Sequence, residues 1–531
     1  MAKYNTAAAR PRGLSPVTTG RTPSGSTFEG GPGFARDTRS ELFLLAVANL
    51  GGEHSFYEPG DRRDSRYAEL VRQAALVDPE WTARLLAWLR GGANMRTAAL
   101  VGAAEYVRAR LAAPEDAPHA PIANRAVVDS VLQRADEPGE LLAYWTSRYG
   151  RAIPKPVKRG VADAAVRLYD ERALAKWDSA RHGFRFGDVL DLTHPAPRAP
   201  WQGELFRHAI DQRHGRDTAA PESLRVLRAR EELLAWPVAD RRALFTRPDA
   251  TDVLRAAGMT WESVAGWLQG PLTAQVWEAL IPSMGYMAVL RNLRNFDEAG
   301  VSDRVAEQVA ARLADPDQVA RSRQFPFRFL SAYESAPGLR WGHALDKALR
   351  ASLANLPALP GRSLVLVDTS ASMTNATLSA RSKVTPAKAA AVFGVALGVK
   401  GEDVDVRGFA TGEFRHRLPR GGSVLREVER FLGRTGEVGH GTDIVGAVRR
   451  SYDRHDRVFI ISDMQTLSGY GYGVADAVPA HVPVYGFNLG GHEHAAFATG
   501  SGNRHEFGGL TDATFRMVPL LEAGRNADWP F

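Results

Sequence analysis

Three short segments carry side-chain oxygens that are candidate ligands for one metal ion. In LVLVDTSASMTNA, Asp368 follows four apolar residues, and Ser370 and Ser372 come after it at alternate positions. Thr442 lies in GHGTD, and Asp463 ends the segment IISD. Oxygen ligands with few charges suit Mg2+ or Mn2+, which keep water or an outside oxygen in an open position. The five side chains therefore predict a divalent-cation site that attracts an outside carboxylate or phosphate.

The elements that would position these side chains alternate between strand and helix. Strands are predicted at SLVLV, DVDVRGFA, RVFIISD and VPVYGFNLG, with helices at KAAAVFGVALGVK and TDIVGAVRRSYDR. This alternation predicts a parallel, doubly wound α/β sheet, whose ligands bind beyond the carboxyl ends of the strands. The pattern begins after a Pro-rich stretch, so we assign this domain to residues 362–531.

The order of these motifs resembles the metal-ion-dependent adhesion site of the von Willebrand factor A fold. Asp-x-Ser-x-Ser follows an apolar strand, Gly-Thr precedes a helix, and Asp follows Ile-Ile-Ser. A plainer interpretation is that these oxygens only cap helices and loops. A third is an aspartyl phosphotransferase that uses Asp368 and Mg2+. Its usual second acid is replaced by Ser370, and no general base lies nearby in sequence, so we predict that the chain is not an enzyme.

The sequence predicts a series of consecutive helices over residues 36–355. Asp78-Pro79-Glu80-Trp81 supplies a cap residue, a proline at the first helical position and an acid in the first turn. Asp315-Pro316 repeats this start. Apolar residues recur at spacings of three and four along many of the segments between, as in amphipathic helices. Stacked helical pairs form a solenoid with a long concave surface.

The composition argues against a disulfide-bonded, thiol-dependent or membrane-spanning protein. The 531 residues include no cysteine, which excludes disulfides and thiol catalysis and is compatible with a cytoplasmic location. No window approaches the roughly 18 apolar residues of a spanning helix, so no membrane partner is expected. Residues 1–35 are rich in Gly, Pro, Ser and Thr, with no acid before Glu29. They predict a disordered basic tail and no secretory signal.

The positive charge lies mainly before residue 362. The net charge is +7, and residues 362–531 carry 19 Lys+Arg against 18 Asp+Glu. The richest basic stretch, residues 151–185, holds nine Lys+Arg and four acids. The aromatic residues in or beside it are Tyr149, Tyr169, Trp177, Phe184 and Phe186. Cations interleaved with aromatics suit single-stranded nucleic acid, although the aromatics could instead be helix core and the cations solvated.

The helical region also resembles the TROVE module of the Ro autoantigen family of RNA-binding proteins. The resembling stretches are NMRTAALVGAAEYV, IPKPVKRGVADAAVRLYDE, FGDVLDLTHP, MTWESVAGWLQ, VWEALIPSMGYMAVLRNLRNF and FPFRFLSAY. Ro proteins join this module to a von Willebrand factor A domain in the same order. The resemblance implies a multidomain fold in which a ring of HEAT-like helical repeats is followed, and closed, by the α/β domain.

The resemblance also implies RNA partners. In the family, single-stranded 3′ ends of misfolded noncoding RNAs enter the central hole. Small Y RNAs bind the basic outer surface and gate access or tether an exoribonuclease. The family's basic pair falls on Lys158 and Arg159, and the histidine of its LSHP-like segment falls on His194. Where relatives carry a further histidine, this chain has Phe186, which could stack on a base.

We therefore predict a Ro-type protein that acts in noncoding RNA quality control. The predicted RNA contacts are Arg151, Lys155, Lys158, Arg159, His194, Arg291 and Arg294, with Arg321, Arg323 and Arg328 as further candidates. The alternative is a Mg2+-dependent protein scaffold, in which the A domain binds an acidic partner and the helices serve as a spacer.

Overall fold

The structure is a computed structural model of the chain. It describes residues 13–531 except 49–54, 217–218, 379–382, 420, 468–472 and 501. The described residues form two compact units. The α/β unit contains the residues up to 70 together with 323–331 and 345–531, and the helical unit contains 71–322 and 332–344.

Helices occupy most of the chain before residue 353. In chain order they are α1 (Thr38–Ala48), α2 (Gly60–Val77), α3 (Pro79–Gly91), α4 (Arg96–Leu111), α5 (Asn124–Val131), α6 (Glu137–Tyr149), α7 (Lys155–Leu168), α8 (Glu171–Trp177), α9 (Phe186–Thr193), α10 (Pro200–Arg213), α11 (Arg225–Leu234), α12 (Val238–Arg241), α13 (Ala250–Ala256), α14 (Trp261–Leu268), α15 (Ala274–Leu280), α16 (Tyr286–Arg291), α17 (Leu293–Glu298), α18 (Asp303–Ala314), α19 (Pro316–Ser322), α20 (Phe327–Ser335) and α21 (Leu339–Ser352). Short 3-10 turns lie at Arg242–Thr246 and Ile281–Ser283.

The helix starts expected from the two Asp-Pro pairs are confirmed. The Asp78 carboxylate accepts the Trp81 N–H at 3.2 Å, and α3 begins at Pro79. The Asp315 carboxylate accepts the Asp317 N–H at 2.8 Å in the first turn of α19, which begins at Pro316. Each carboxylate satisfies an N–H that the first helical turn leaves unpaired.

Neighbouring helices of the helical unit pack on one another, as α3 does on α4, α5 on α7 and α9 on α10. Gly160 lets α7 approach α5 closely, because a Cβ added there would lie 2.6 Å from the Arg125 carbonyl oxygen. The buried Glu137 carboxylate accepts hydrogen bonds from Arg90 and Arg96. The close approach at Gly160 packs α7 tightly on α5, and the Glu137 ion pairs join α6 to α3 and α4.

The strands belong to the α/β unit. They are β1 (Gly25–Ser26), β2 (Pro32–Ala35), β3 (Arg362–Asp368), β4 (Asp403–Phe409), β5 (Glu413–His416), β6 (Arg457–Ser462), β7 (Val484–Asn488), β8 (His494–Ala495) and β9 (Arg504–Gly508). The helices among them are α22 (Ala371–Thr374), α23 (Pro386–Lys400), α24 (Val424–Leu432), α25 (Ile444–Ser451) and α26 (Met517–Glu522), with 3-10 turns at Val474–Ala477 and Ala513–Arg516.

Six strands form one sheet in the order β5-β4-β3-β6-β7-β9. Every neighbouring pair is parallel except β4 with β5. Leu364 and Leu366 share a buried cluster with α25, whereas Val365 and Val367 face Gly394 of α23. Alternate residues of β3 thus face helices on opposite sides, which confirms the predicted doubly wound α/β domain.

The prediction of a disordered tail at residues 1–35 is wrong for residues 13–35. β2 pairs antiparallel with β1 and with β8, and Phe34 lies opposite Ala495. Val17 is buried, and the Leu14 carbonyl accepts the Ala527 N–H at 2.9 Å. Residues 13–70 therefore fold with the α/β unit, although the sequence assigned residues from 36 onward to the helical region. Residues 1–12 lie outside the described part.

None of the described helices combines the length and the apolar character that crossing a bilayer requires.

Candidate functional site

The sheet topology brings the predicted metal ligands to one edge. β3 ends at Asp368, and its parallel neighbour β6 ends directly before Asp463. The Ala371 N–H donates to the His440 carbonyl at 2.8 Å, which joins the loop of the two serines to the loop of Thr442. Parallel strands end at the same edge, so residues far apart in sequence meet there.

Hydrogen bonds fix the first loop. Asp368 Oδ1 accepts the Ser370 N–H at 2.8 Å, and Asp368 Oδ2 accepts the Ser462 hydroxyl at 2.5 Å. The hydroxyls of Ser370 and Ser372 are 3.1 Å apart. Asp368, Ser370, Ser372 and Ser462 are all buried. Sequence reasoning missed Ser462, although its position directly before Asp463 was a signal.

Thr442 has a buried side-chain oxygen of the kind that a metal ion would satisfy. Its side chain is buried, and its Oγ1 has no hydrogen-bond partner among the described residues. Its carbonyl is occupied, since it accepts the Leu467 N–H at 2.8 Å. A buried hydroxyl without a partner is uncommon and calls for an unseen water or ion.

The two carboxylates are held where ionisation is costly. Burial raises the pKa of Asp368 to about 6, against hydrogen bonds from Ser462 and Ser370 and with a contribution from the negative charge of Glu29. Burial and the charge of Asp368 raise the pKa of Asp463 to about 7. A divalent cation would offset both the burial and the repulsion.

The donor set fits such a cation. Asp368 and Asp463 offer carboxylate oxygens, and Ser370, Ser372 and Thr442 offer neutral hydroxyl oxygens. Mg2+ and Mn2+ accept this mixture and keep a position for an oxygen from elsewhere. When bound, the ion would supply a positive centre that attracts a carboxylate.

Two residues beside this site were not found from the sequence. The Tyr57 hydroxyl donates to Glu29 Oε1 at 2.7 Å, and Ser372 is close enough to oppose the rise in the pKa of Tyr57. Burial raises the pKa of Tyr57, as does the charge of Asp463. No local pattern links residues this far from Asp463 along the chain, so only the folded structure could identify them.

A small cavity of about 40 Å³ lies beside the site, lined by residues that include Ser372, Asp463, Arg63 and His492. The segment His492-Glu493-His494 follows Gly490-Gly491, a composition typical of a flexible surface loop, yet His492 lies in the interior. His492 is buried with its Nδ1 3.1 Å from Glu58 Oε2. Burial lowers the pKa of His492 to about 4 despite that contact.

A second candidate site lies at the start of α7 in the helical unit. The first five residues of α7 include three cations, Lys155, Lys158 and Arg159. Arg151 lies shortly before the helix. Lys158 is half-buried and the other three are exposed. Within the part of the chain that the structure describes, none of the four forms an ion pair. The predicted cluster therefore presents unneutralised positive charge.

Two other arginines of the basic stretch form contacts within the chain. Arg167 pairs with Asp129 at 2.6 Å, and Arg172 donates to the Arg255 carbonyl at 2.9 Å. The expectation that Phe186 could stack on a base is wrong. Phe186 is buried and stacks on the buried Tyr169 with ring centroids 3.9 Å apart. These two rings are core, as the plainer interpretation held.

The remaining predicted RNA contacts lie on other helices. His194 is exposed and ends α9 in a left-handed conformation with φ of 47°. Arg291 ends α16, and Arg294 lies on α17 with its Nε 3.5 Å from Glu298 Oε1. Both arginines are exposed. They belong to a segment separate in sequence from α7.

Comparison with known proteins identifies one stretch of the helical region. Residues 256–341 match the model of the TROVE domain. Telomerase protein component 1 of Mus musculus is 47% identical over 78 residues, which are 14% of this chain and 3% of that protein. The Rattus norvegicus protein is 46% identical over 78 residues, with the same coverage. The chain thus matches only a small part of these relatives.

A solved structure resembles nearly the whole chain. The crystal structure of the Deinococcus radiodurans Ro (RSR) protein matches 92% of this chain and 100% of its own, with a TM-score of 0.60 and 19% identity. At this identity the similarity establishes the fold. The chain therefore has the fold of a Ro protein and carries, at residues 256–341, a segment of the TROVE domain family.

Proposed function

We propose that this chain is a non-enzymatic RNA-binding protein of the Ro type. The observation that carries the proposal is a cluster of cations at the start of α7 that form no ion pairs with the described residues. The cluster consists of Arg151, Lys155, Lys158 and Arg159. The matched TROVE segment and the fold of a Ro protein support the same conclusion.

The position of these cations favours phosphate binding. The N-cap residue of α7 is Pro154, and it supplies no side-chain cap. The partial positive charge of a helix N-terminus adds to that of the side chains. Contacts of this kind do not read sequence, and they weaken steeply as salt rises.

The finer proposal follows the family resemblance. The outer basic surface would hold a small structured Y-like RNA, and the single-stranded 3′ ends of misfolded noncoding RNAs would enter a central hole. An exoribonuclease could be tethered through the bound RNA. Such a protein would act in noncoding RNA quality control in the cytoplasm.

The Lys158→Ala/Arg159→Ala variant tests the α7 cluster. We expect it to bind a hairpin RNA with a single-stranded 3′ tail roughly tenfold more weakly at moderate salt, because two charge-assisted phosphate contacts are lost. The slope of log affinity against log salt should fall by about one to two. Fluorescence anisotropy over a salt series measures both, with a blunt-ended copy of the RNA beside it.

The matched control removes the same charge elsewhere in the helical unit. Arg247 and Arg255 are half-exposed and pair with Asp249 and Asp252. The Arg247→Ala/Arg255→Ala variant should keep nearly wild-type affinity and salt slope. Equal losses in the two variants would mean that net charge alone matters and would contradict a site at α7.

The second candidate function is a Mg2+-dependent protein scaffold that acts through the α/β unit. It is favoured by the buried Asp368 and Asp463, together with the Thr442 hydroxyl, which has no hydrogen-bond partner in the described part of the chain. We propose that these residues, with Ser370 and Ser372, hold Mg2+ or Mn2+. A scaffold without RNA affinity would purify with a low ratio of absorbance at 260 to 280 nm, whereas an RNA-binding protein would retain nucleic acid.

A further inference from the structure

A tight turn of the N-terminal segment faces the predicted metal site. The Gly30 N–H donates to the Thr27 carbonyl at 3.0 Å, and Glu29 sits inside this turn. Gly30 has φ of 82°, a conformation that glycine adopts without strain. The turn therefore has one defined shape, and it presents the Glu29 side chain.

Hydrogen bonds fasten this turn to the loop that follows Asp463. The Thr27 hydroxyl donates to the Thr466 carbonyl at 2.6 Å, and the Gly31 N–H donates to the same carbonyl at 3.1 Å. The Phe28 N–H donates to Gln465 Oε1 at 2.9 Å. None of these bonds involves the Glu29 side chain, so its replacement leaves the turn in place.

Aromatic contacts aim the Glu29 carboxylate toward the predicted ligands. Phe28 stacks on Tyr57 with ring centroids 5.0 Å apart and an interplanar angle of 4°. The Tyr57 hydroxyl donates to Glu29 Oε1 at 2.7 Å, and the proximity of Ser372 opposes the rise in the pKa of Tyr57. The same hydroxyl is thus near both the Glu29 carboxylate and a predicted ligand.

The position of the Glu29 carboxylate is electrostatically unfavourable unless a cation is present. The negative charge of Glu29 acts on Asp368 and Asp463, both of which are buried. Negative charges that act on one another at short range repel, whereas a divalent ion near them would reverse the sign of each interaction.

We propose that Glu29 supplies the carboxylate for the open position of the metal, so that the chain closes its own site. The inference rests on the proposed metal site and not on RNA binding. An acidic partner would then have to displace the turn at Thr27–Gly30 before it could reach the ion. In the intact chain the site serves to fasten the N-terminal segment.

The test is the affinity of the full chain for Mn2+, measured by isothermal titration calorimetry and by electron paramagnetic resonance of free Mn2+. In Glu29→Gln the amide oxygen can still accept the Tyr57 hydroxyl, but the charge is gone. We expect Mn2+ to bind about tenfold or more weakly, because the ion loses one of three carboxylates. Glu493→Gln, an exposed residue next to His492, is the charge-matched control and should bind Mn2+ like the wild type.

A rescue experiment separates a ligand from a distant charge. In Glu29→Ala, acetate should restore part of the Mn2+ affinity by occupying the vacated position, and acetate should leave the wild-type affinity unchanged. Equal Mn2+ affinity in the wild type and Glu29→Gln, or a loss of the same size in Glu493→Gln, would overturn the role of Glu29. A wild-type chain that binds no Mn2+ would instead overturn the metal site itself.

Discussion

The Asp368→Asn variant is expected to lose Mg2+ and Mn2+ binding and, without metal above pH 7, to be about 2 kcal/mol more stable than the wild type. The variant loses a central predicted ligand. It gains stability because a neutral amide avoids the cost of a buried charge beside Asp463. The amide oxygen of the new side chain can still accept the Ser370 N–H that the wild-type carboxylate accepts at 2.8 Å.

The same pKa shifts give the pH dependence of the metal-free wild type. An unfolded aspartate has a pKa near 3.8, whereas folding raises that of Asp368 to about 6 and that of Asp463 to about 7. The folded state therefore binds more protons, and the stability these groups contribute is complete below about pH 4. It is lost as pH rises through about 6 to 7, where metal binding becomes strongest because the ligands are deprotonated.

Chemical denaturation between pH 4 and pH 8, with EDTA or with Mg2+, measures these effects. Asp403 is a matched control because its carboxylate lies in the same sheet but is 65% exposed. Asp403→Asn should change neither the stability by more than a few tenths of a kcal/mol nor the response to metal. An Asp368→Asn protein less stable than wild type at pH 8 in EDTA would contradict the burial argument.

The Arg36→Met variant should destabilise the α/β unit by about 3–5 kcal/mol. Arg36 forms a two-pronged ion pair with Glu506 at 3.0 and 2.7 Å, and the two side chains are 0% and 1% exposed. It also donates to the His492 carbonyl at 2.6 Å. Methionine fills a similar volume, so the expected loss comes mainly from the buried, unpaired Glu506 carboxylate.

Removing the charge of Glu506 as well should recover most of the stability that Arg36→Met loses. Asn488 already donates to Glu506 Oε1 at 2.9 Å, and a glutamine side chain in place of this glutamate can keep that bond. The Arg36→Met/Glu506→Gln protein should therefore be more stable than Arg36→Met alone in urea denaturation. Losses that simply add in the double variant would show that the two side chains are not energetically coupled.

Arg36 also bears on the proposal that Glu29 binds the metal, because it joins the N-terminal segment to the sheet. It holds the end of the N-terminal segment on the sheet, a few residues after the turn that carries Glu29. If Glu29 is a ligand, Mn2+ should stabilise the segment as well as the sheet. Limited proteolysis near residues 20–30 with and without Mn2+ would register that stabilisation in the wild type and not in Glu29→Gln.

The sequence determined the features that depend on nearby residues or on a fixed topology. The Asp78 cap follows from one helical turn, and the doubly wound sheet follows from alternating strands and helices. The meeting of Asp368 and Asp463 was predictable for the same reason, since neighbouring parallel strands must end at one edge. Residues in these patterns are related by backbone geometry, which the order of the chain already contains.

Only the tertiary structure decided which polar and basic side chains are free to bind a ligand and which are paired within the chain. Nothing local distinguishes Lys158 from Arg167, yet the first has no ion pair among the described residues and the second meets Asp129 at 2.6 Å. Residues 13–35 have the composition of a disordered tail, but β2 pairs with β8, and the turn before β2 holds Glu29. Such outcomes depend on partners far along the chain, and local propensity does not encode the free energy of those contacts.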